Sequence, residues 1–231
     1  MKILVTGPTQ VGKSTFISKI TGGNCLKLER NGVTIAMDFG IVVKNDVRIR
    51  IFGTPGLERF RLVRKVLAQG ADGVLFMIDG TNINETRTRR IWQEVTQYLS
   101  GVPCIVAINK IDLISRLNIL EIRKKLEFIA GIPTIPISAL KGENVFRVLN
   151  ILILVIISMN PLLSRLVKYQ NVPNSFKNIM TELDIPLSDL KAYLRWLELR
   201  NLIKIDWKNE KISLSSLVIE SIKNPGKVLE E

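Results

Sequence analysis

Short apolar runs alternate with longer amphipathic stretches through the first two thirds of the chain. The strand-like runs occupy 2–7, 33–43, 47–53, 73–79, 103–109 and 134–138. Four of them lack strict alternation of apolar and polar positions, as is typical of strands that helices cover on both faces. Helical stretches near 13–21, 60–70, 84–100, 117–130 and 143–158 lie between them. This order predicts an α/β domain over residues 1–158 with a mostly parallel sheet flanked by helices.

One connection departs from this alternation. The runs 33–43 and 47–53 are separated only by the polar turn 44–46, which predicts an antiparallel hairpin. Arg48 and Arg50 alternate with apolar residues in the second run, so one face of that strand is expected to be exposed.

The pattern becomes helical after Pro161. A helix over 162–169 is followed by one that Asn174 or Ser175 would cap, and then by a helix over 188–200 with an apolar face. Two short strands flank the turn at 208–209. This order predicts a second, small domain over 162–231 that resembles a winged helix-turn-helix.

The segment "GPTQVGKST", Gly7 to Thr15, follows an apolar strand and opens a helix, the context in which a phosphate-binding loop is expected. Its backbone N–H groups would face the phosphates, the Lys13 ammonium would bridge the β- and γ-phosphates, and the Ser14 hydroxyl would ligate Mg²⁺. The predicted nucleotide-binding residues of this segment are Gly7, Thr9, Gln10, Val11, Gly12, Lys13, Ser14 and Thr15.

Two further segments follow apolar strands and would meet at the carboxyl edge of the sheet. They are "NKID" and "SAL", with the candidate residues Asn109, Lys110, Asp112, Ser138, Ala139 and Leu140. The Asp112 carboxylate suits guanine because it can accept from N1–H and from the exocyclic amine, a donor pair that adenine lacks. The Lys110 stem would lie along the base, and the Ala139 N–H would meet the guanine carbonyl.

Composition excludes several other functions. The chain of 231 residues has no histidine and two cysteines, which excludes histidine-dependent catalysis and an ordinary zinc site and fits a reducing interior. Its longest apolar run, 151–157, is too short to span a bilayer, so we expect a cytoplasmic protein without a transmembrane segment. The net charge of +12 invites a nucleic-acid interpretation, but most of the excess lies before residue 160.

Together these motifs resemble the five nucleotide-binding elements of a Ras-like small GTPase. The segments "TIAMDFG" and "FGTPGLERF" are most similar to the prokaryotic and archaeal MglA-related group. The resemblance implies a six-stranded sheet with one antiparallel strand, Mg²⁺ with GTP or GDP as ligands, and two switch segments that sense the γ-phosphate. It also implies an effector and a GTPase-activating or exchange protein as partners.

The resemblance assigns roles to particular residues. Lys13, Thr34 and Gly56 are the expected catalytic residues, and Ser14 and Thr34 are expected at Mg²⁺. Thr21 is an alternative to Thr34, although it lies close to the first helix.

Two substitutions depart from the family pattern. Gly53 stands where the family has an aspartate that orients a magnesium-bound water. We therefore take Asp38 as a third candidate at the metal, reaching its water shell from the neighbouring strand. The alternative is an ion pair between Asp38 and Arg48 or Arg50, and both remain open.

Leu57 replaces the glutamine that positions the attacking water, so we expect hydrolysis slower than that of Ras unless a partner assists. Basic residues after this position, and Arg30, could neutralise charge in cis, although a solvated helix face is the plainer interpretation. The residues after this position are Arg59, Arg61, Arg64 and Lys65.

The C-terminal domain carries a mixed set of charges, which favours protein contact or packing over DNA binding, although Trp207 could stack on a base. Three functions therefore compete: a GTP-dependent switch, a GTP-binding scaffold that scarcely hydrolyses, and a nucleotide-responsive DNA-binding regulator. The high Ile and Lys content hints at a thermophilic archaeon.

Overall fold

The computed structural model describes residues 1–27, 37–115 and 118–230. The chain divides into two compact units. One comprises residues 2–42 and 50–153, and the other comprises Met1, residues 43–49 and residues 154–231. The second unit thus includes a short piece of the N-terminal sequence, which the periodicity had assigned to the first domain.

A twisted sheet forms the centre of the larger unit. Its strands are β1 (Lys2–Thr6), β2 (Cys25–Lys27), β3 (Asp38–Lys44), β4 (Val47–Gly53), β5 (Gly73–Asp79), β6 (Cys104–Asn109) and β7 (Thr134–Pro136). The order is β2-β3-β4-β1-β5-β6-β7. The pairings of β1 with β4 and β5, and of β6 with β5 and β7, are parallel. The mostly parallel sheet is therefore confirmed.

The expected count of six strands was one short within the described residues. The additional strand is β2, which pairs antiparallel with β3. Its three residues are too few to show a period in the sequence.

The predicted hairpin between β3 and β4 is present and tighter than expected. Its connection is two residues, Asn45 and Asp46, with φ of 44° and 67°. Two left-handed residues favour the turn that matches strand twist, and a connection this short makes the two strands antiparallel. Along β4, Val47, Ile49 and Ile51 are buried and Arg48 and Arg50 are exposed, as predicted.

Helices pack against this sheet because their apolar faces follow a 3.6-residue period. They are α1 (Lys13–Ile20), α2 (Arg61–Ala68), α3 (Glu85–Tyr98), α4 (Ile119–Lys125) and α5 (Val145–Ser158). Between the sheet and α3, the ring of Phe76 meets that of Trp92 edge to face at 5.0 Å. The Asn84 side chain accepts the Arg87 N–H and so fixes the start of α3.

The second unit contains mostly short helices and a two-stranded antiparallel sheet. They are α6 (Pro161–Leu166), α7 (Phe176–Leu183), α8 (Leu187–Leu199), β8 (Ile203–Asp206), β9 (Lys211–Leu214), α9 (Ser216–Lys223) and α10 (Pro225–Glu230). The three helices and two strands expected here are present, and α9 and α10 were not anticipated. Ser175 is the N-cap residue of α7, one of the two candidates, but its hydroxyl donates to the Glu210 carbonyl at 2.8 Å and makes no side-chain cap bond with the helix.

The β3–β4 turn is bonded within this second unit. The Met1 amino group donates to the carbonyls of Arg48 and Arg200 at 2.9 and 3.0 Å. Lys44 Nζ donates to the Val228 carbonyl at 3.1 Å. These bonds explain why residues 43–49 group with the C-terminal elements.

In the described part of the chain, no individual helix has both the length and the apolar content that crossing a membrane requires. Within that part, one bent pair of consecutive helices, Val145–Ser158 and Pro161–Tyr169, meets both criteria when the two are taken together.

Candidate nucleotide-binding site

A cleft of about 600 Å³ opens where β1 and β4 end, beside the start of α1. Open α/β sheets bind ligands at this edge. The sequence-predicted residues that line the cleft are Thr9, Gln10, Gly12, Lys13, Ser14, Thr15, Asp38, Gly56 and Lys110.

The loop between β1 and α1 depends on two glycines. Gly7 has a φ of 140°, and a β-carbon there would lie 2.1 Å from the Met77 carbonyl oxygen. Gly12 has a φ of 94°, and a β-carbon there would lie 2.2 Å from Asn109 Nδ2. Any larger residue would displace the loop, so both positions require glycine.

Lys13 lies at the first position of α1 and is 8% exposed. Its Nζ donates to the carbonyls of Gly7 and Pro8 at 3.0 and 2.5 Å. Burial lowers the pKa of Lys13 to about 7, against the opposing effect of Asp38 and with a further lowering by Arg64 and Arg87. Burial is thus the main cost of the charged form of Lys13, and a phosphate beside the ammonium would offset that cost.

Asn109 joins the phosphate loop to the "SAL" segment. Its Nδ2 donates to the Val11 carbonyl at 2.8 Å, and its Oδ1 accepts the Ala139 N–H at 2.8 Å. We expected the Ala139 N–H to donate to the guanine carbonyl, but in the structure it donates to Asn109 Oδ1. The side chain is 3% exposed, so Asn109 lies behind the ligand surface as a brace.

The other residues of the two base-reading segments are oriented by side-chain bonds. Ser138 Oγ donates to Asp112 Oδ1 at 2.5 Å and itself accepts the Lys141 N–H. Lys110 Nζ donates to Asp79 Oδ2 at 2.5 Å. Burial acts to raise the pKa of Asp79, but the bonds from Lys110 and Thr81 prevail and lower it. Leu140 is 68% exposed and lines a neighbouring cavity with Ser14.

The segment after β4 packs closely against the phosphate-binding loop. A β-carbon on Gly56 would lie 2.4 Å from the Thr9 backbone nitrogen, so only glycine fits. Thr54, two residues before Gly56, is also fixed, since its Oγ1 donates to Thr6 Oγ1 at 2.8 Å. Leu57 follows on the wall of the cleft, half-buried.

Arg64 corrects the prediction of a solvated basic face. Arg59, Arg61 and Lys65 are exposed as expected, but Arg64 is 2% exposed. Its Nη1 donates to the carbonyls of Pro55 and Leu57 at 3.0 and 2.7 Å. Its Nε and Nη2 donate to Glu94 Oε2 on α3. Arg64 therefore holds the backbone on both sides of Gly56.

Asp38 lines the cleft and lies beside Gly53, the residue before Thr54 on the cleft wall. The Asp38 side chain is buried, at 4% exposure. The alternative of an ion pair is not supported, because no ion pair in the described residues joins Asp38 to the exposed Arg48 or Arg50.

Two predicted residues, Thr34 and Arg30, lie outside the described residues. Thr21, the alternative to Thr34, is buried, and its hydroxyl donates to the Ile17 carbonyl at 2.7 Å. Its side chain thus closes the end of α1.

Three residues of this region were missed from the sequence. Asp79 holds Lys110, Glu94 pairs with Arg64, and Arg87 Nη2 donates to Thr9 Oγ1 at 2.8 Å. Helical spacing gave a signal only for Arg64, the partner of Glu94, because Arg64 precedes the buried Leu67 and Ala68 by three and four residues.

Comparison with known proteins agrees with this geometry. The family model for the elongation factor Tu GTP binding domain matches residues 25–166, more than half of the chain. An uncharacterised protein of Methanocaldococcus jannaschii is 30% identical over 49% of this chain and 71% of its own length. GTPase Era of Halothermothrix orenii is 31% identical, and the Ras-related protein RIC1 of Oryza sativa subsp. japonica is 32% identical.

The extent of these matches differs between relatives. Both the Era and the RIC1 matches cover 62% of this chain. They cover 51% of Era and 74% of RIC1, so this chain spans about half the length of Era.

Proposed function

Because the chain belongs to the elongation factor Tu GTP-binding domain family, we propose that it is a GTP-dependent molecular switch that hydrolyses GTP slowly unless a partner assists. The observation that carries the proposal is the Asn109 brace, which ties the phosphate loop to the "SAL" segment. A ligand with a phosphate chain at one end and a base at the other suits this arrangement.

Guanine selection rests on Asp112. The Ser138 bond leaves one carboxylate oxygen oriented and the other open, and the side chain is exposed. A carboxylate held in this way accepts from guanine N1–H and the exocyclic amine. Adenine would leave the carboxylate unpaired, which is costly when a ligand covers it.

The chain offers donors that fit Mg²⁺ on the same cleft. Mg²⁺ prefers oxygen ligands and is usually held by one or two carboxylates together with substrate phosphates. Ser14 provides a hydroxyl and Asp38 a carboxylate, both on the wall of the cleft, and Thr34 remains a predicted third ligand. Bound Mg²⁺ would neutralise phosphate charge, and Lys13 would hold the β- and γ-phosphates.

Slow hydrolysis follows from Leu57. Its side chain lies on the cleft wall but can neither donate nor accept a hydrogen bond, so it cannot orient a water. Gly56 would present its backbone N–H to the γ-phosphate. A GTPase-activating protein is therefore proposed to supply what Leu57 lacks, and an effector to recognise the GTP form.

We assign the GTPase domain to the MglA-related group on the "TPG" of Thr54–Gly56, and the C-terminal elements to a winged helix-turn-helix-like domain. In that domain the Trp207 ring packs on Phe176 at 5.9 Å, and the Arg195 guanidinium lies 5.4 Å from its centroid. A ring engaged in this way is poorly placed to stack on a base. This favours a protein contact over DNA, and cytoplasmic location remains a prediction.

The experiment begins with nucleotide-free protein and fluorescent GTP, GDP, ATP and ADP, each with and without Mg²⁺. We expect guanine nucleotides to bind on the order of 10³-fold or more tightly than adenine nucleotides. Equal affinity for both bases would contradict the proposal.

Single-turnover phosphate release then separates the leading function from its alternatives. A rate at or below the order of 10⁻⁴ s⁻¹ supports the slow switch, and no release supports a non-hydrolysing scaffold. Several turnovers per second without a partner would exclude slow hydrolysis. Salt-dependent binding to duplex DNA would favour the DNA-binding regulator.

A further inference from the structure

An arginine outside the expected motifs reaches the phosphate loop. Arg87 lies in the first turn of α3, where its backbone N–H is fixed by the Asn84 side chain at 3.0 Å. Its Nη2 donates to Thr9 Oγ1 at 2.8 Å. Among the described residues, no ion pair includes Arg87, so its charge is not neutralised by a carboxylate there.

The charge of Arg87 acts on the lysine that would hold the phosphates. Arg87 is one of two arginines that lower the pKa of Lys13, the other being Arg64. The two arginines differ in how they are held. Arg64 is neutralised by Glu94 and saturated by backbone carbonyls, whereas the Arg87 contact is a neutral hydroxyl. An anionic oxygen would bind the Arg87 guanidinium more strongly than this neutral hydroxyl does, because an ion pair adds the attraction of opposite charges to the hydrogen bond.

Thr9 lies between Arg87 and the expected place of reaction. It lines both the nucleotide cleft and a cavity of about 200 Å³ that Arg87 also lines. Gly56 presses on the Thr9 backbone nitrogen from the other side, and Leu57 follows directly. Arg87 thus bonds Thr9, the residue that also contacts the Gly56–Leu57 segment, where leucine replaces the family's glutamine.

We propose that Arg87 is a catalytic arginine supplied by this chain itself, which exchanges the Thr9 hydroxyl for the γ-phosphate when GTP is bound. In the reaction the water oxygen bonds to γ-phosphorus, the bond from γ-phosphorus to the β–γ bridging oxygen breaks, and the water proton ends on the released phosphate. Arg87 transfers no proton. Its N–H groups neutralise the charge that accumulates on the transferring group, as an arginine in cis does in other GTPases. This inference rests on the proposed GTPase function.

The test compares Arg87→Ala and Arg87→Lys with the wild-type chain in two measurements. The first is affinity for GDP with aluminium fluoride, which imitates the transition state, relative to affinity for GDP alone. The second is single-turnover hydrolysis. For Arg87→Ala we expect a loss of about 10³-fold in the first ratio and a fall in rate below that of the wild-type chain, with GDP affinity changed by less than roughly threefold. Arg87→Lys keeps the charge without the planar fork and should be intermediate.

Two further variants distinguish catalysis from loop anchoring. Arg89→Ala is the matched control on α3, because Arg89 pairs with Glu85 at 2.6 Å and lies 4.7 Å from the Phe128 centroid. It should leave both measurements unchanged. Thr9→Val removes the docking hydroxyl, and we expect a smaller loss than for Arg87→Ala.

The outcomes separate this inference from the proposed function. If Arg87→Ala keeps wild-type aluminium fluoride affinity and rate, Arg87 is not catalytic. A parallel fall in GDP affinity and thermal stability for Arg87→Ala and Thr9→Val would make it a loop anchor and overturn the inference. A wild-type chain that binds GTP but never binds GDP with aluminium fluoride also overturns it. A wild-type chain that binds no guanine nucleotide instead refutes the proposed function.

Discussion

The carboxylate of Asp38 lies directly beside the position that a side chain on Gly53 would take. A β-carbon built on Gly53 would lie 2.7 Å from Ile17 Cδ1, 3.1 Å from Asp38 Cβ and 3.3 Å from Asp38 Oδ2. Neighbouring strands thus bring an acid from β3 to the end of β4, where the family pattern has its own aspartate. The glycine at position 53 thus leaves room beside it for the carboxylate of Asp38.

This relationship predicts that moving the acid from position 38 to position 53 keeps part of the Mg²⁺-dependent GTP affinity. Asp38→Ala should weaken Mg²⁺-dependent GTP affinity by roughly 10- to 100-fold, as outer-shell residues of metal sites do. Adding Gly53→Asp to Asp38→Ala should restore part of that affinity once the end of the Ile17 side chain shifts. Gly53→Asp alone should not raise the affinity, because the new carboxylate would stand against that of Asp38, whose Oδ2 lies 3.3 Å from a β-carbon at position 53. Affinities would be measured by fluorescent-nucleotide titration over a range of Mg²⁺ concentrations.

The control for the exchange is Glu121→Gln, which neutralises an exposed acid on α4. It should leave the Mg²⁺ dependence intact. An unchanged Mg²⁺ dependence in Asp38→Ala would show that Asp38 has no part in the metal site.

Arg64 predicts a stability effect that exposed arginines of the same helix would not show. Arg64→Met leaves Glu94, 12% exposed, without its partner and frees two carbonyls. Breaking a buried pair in this way costs about 3–5 kcal/mol of the free energy of unfolding. Urea unfolding at a fixed GDP concentration measures it.

The double variant Arg64→Met with Glu94→Leu removes the orphaned charge and should recover part of this loss. Arg61→Met is the matched control, since Arg61 is exposed and bonds the Tyr98 hydroxyl at 3.0 Å. Equal costs for Arg64→Met and Arg61→Met would mean that the buried pair contributes nothing measurable.

Lys13 predicts proton uptake when nucleotide binds. Its pKa in the nucleotide-free chain is lowered from 10.5 to about 7, first by burial. Between pH 7 and pH 10.5 the folded chain therefore holds fewer protons than the unfolded chain. The free energy of unfolding of the nucleotide-free protein should then rise with pH by up to about 1.4 kcal/mol per pH unit. Phosphates restore the charged form, so nucleotide affinity should be level below pH 7 and fall above it.

Calorimetry at pH 8.5 in two buffers with different ionisation enthalpies measures the uptake, which should approach one proton per nucleotide. Lys13→Met should abolish it, and Lys124→Met, on an exposed position of α4, should not. Binding without proton uptake in the wild-type chain would show that Lys13 is already charged before nucleotide binds.

Sequence alone gave the elements that depend on local pattern. The buried strands, the glycine-rich loop and the Asp112 segment each have a signature within one short window, because period, turn chemistry and motif spacing are local properties. The three residues of β2 have no such signature, and their pairing depends on β3.

The residues that sequence could not place depend on contacts between distant segments. Arg64 belongs to a basic run that is typical of a solvated face, and only Glu94 and two carbonyls make its burial tolerable. Arg87 lies 78 positions after Thr9, in a polar stretch with no motif, so their bond could be recognised only in the folded chain.

The last prediction concerns Leu57 itself. Its carbonyl is held by Arg64 at 2.7 Å, and its side chain lies half-buried on the cleft wall, so a glutamine of similar length would start from the same fixed backbone. Leu57→Gln would supply a donor and an acceptor for the attacking water. We expect the rate of single-turnover hydrolysis to rise about tenfold or more, with GDP affinity unchanged. This rise is below the roughly 10²- to 10⁴-fold that a well-positioned catalytic side chain can contribute.

Leu62→Gln makes the same exchange on α2 at a side chain that is 76% exposed, and it should leave the rate unchanged. In the Arg87→Ala background the gain from Leu57→Gln should be smaller, because both groups act on one transition state and their effects are then coupled. A Leu57→Gln chain that binds GDP normally but hydrolyses no faster than wild type would show that the missing glutamine does not limit the reaction. The limit would then lie in the charge around the γ-phosphate, where Lys13 and Arg87 act.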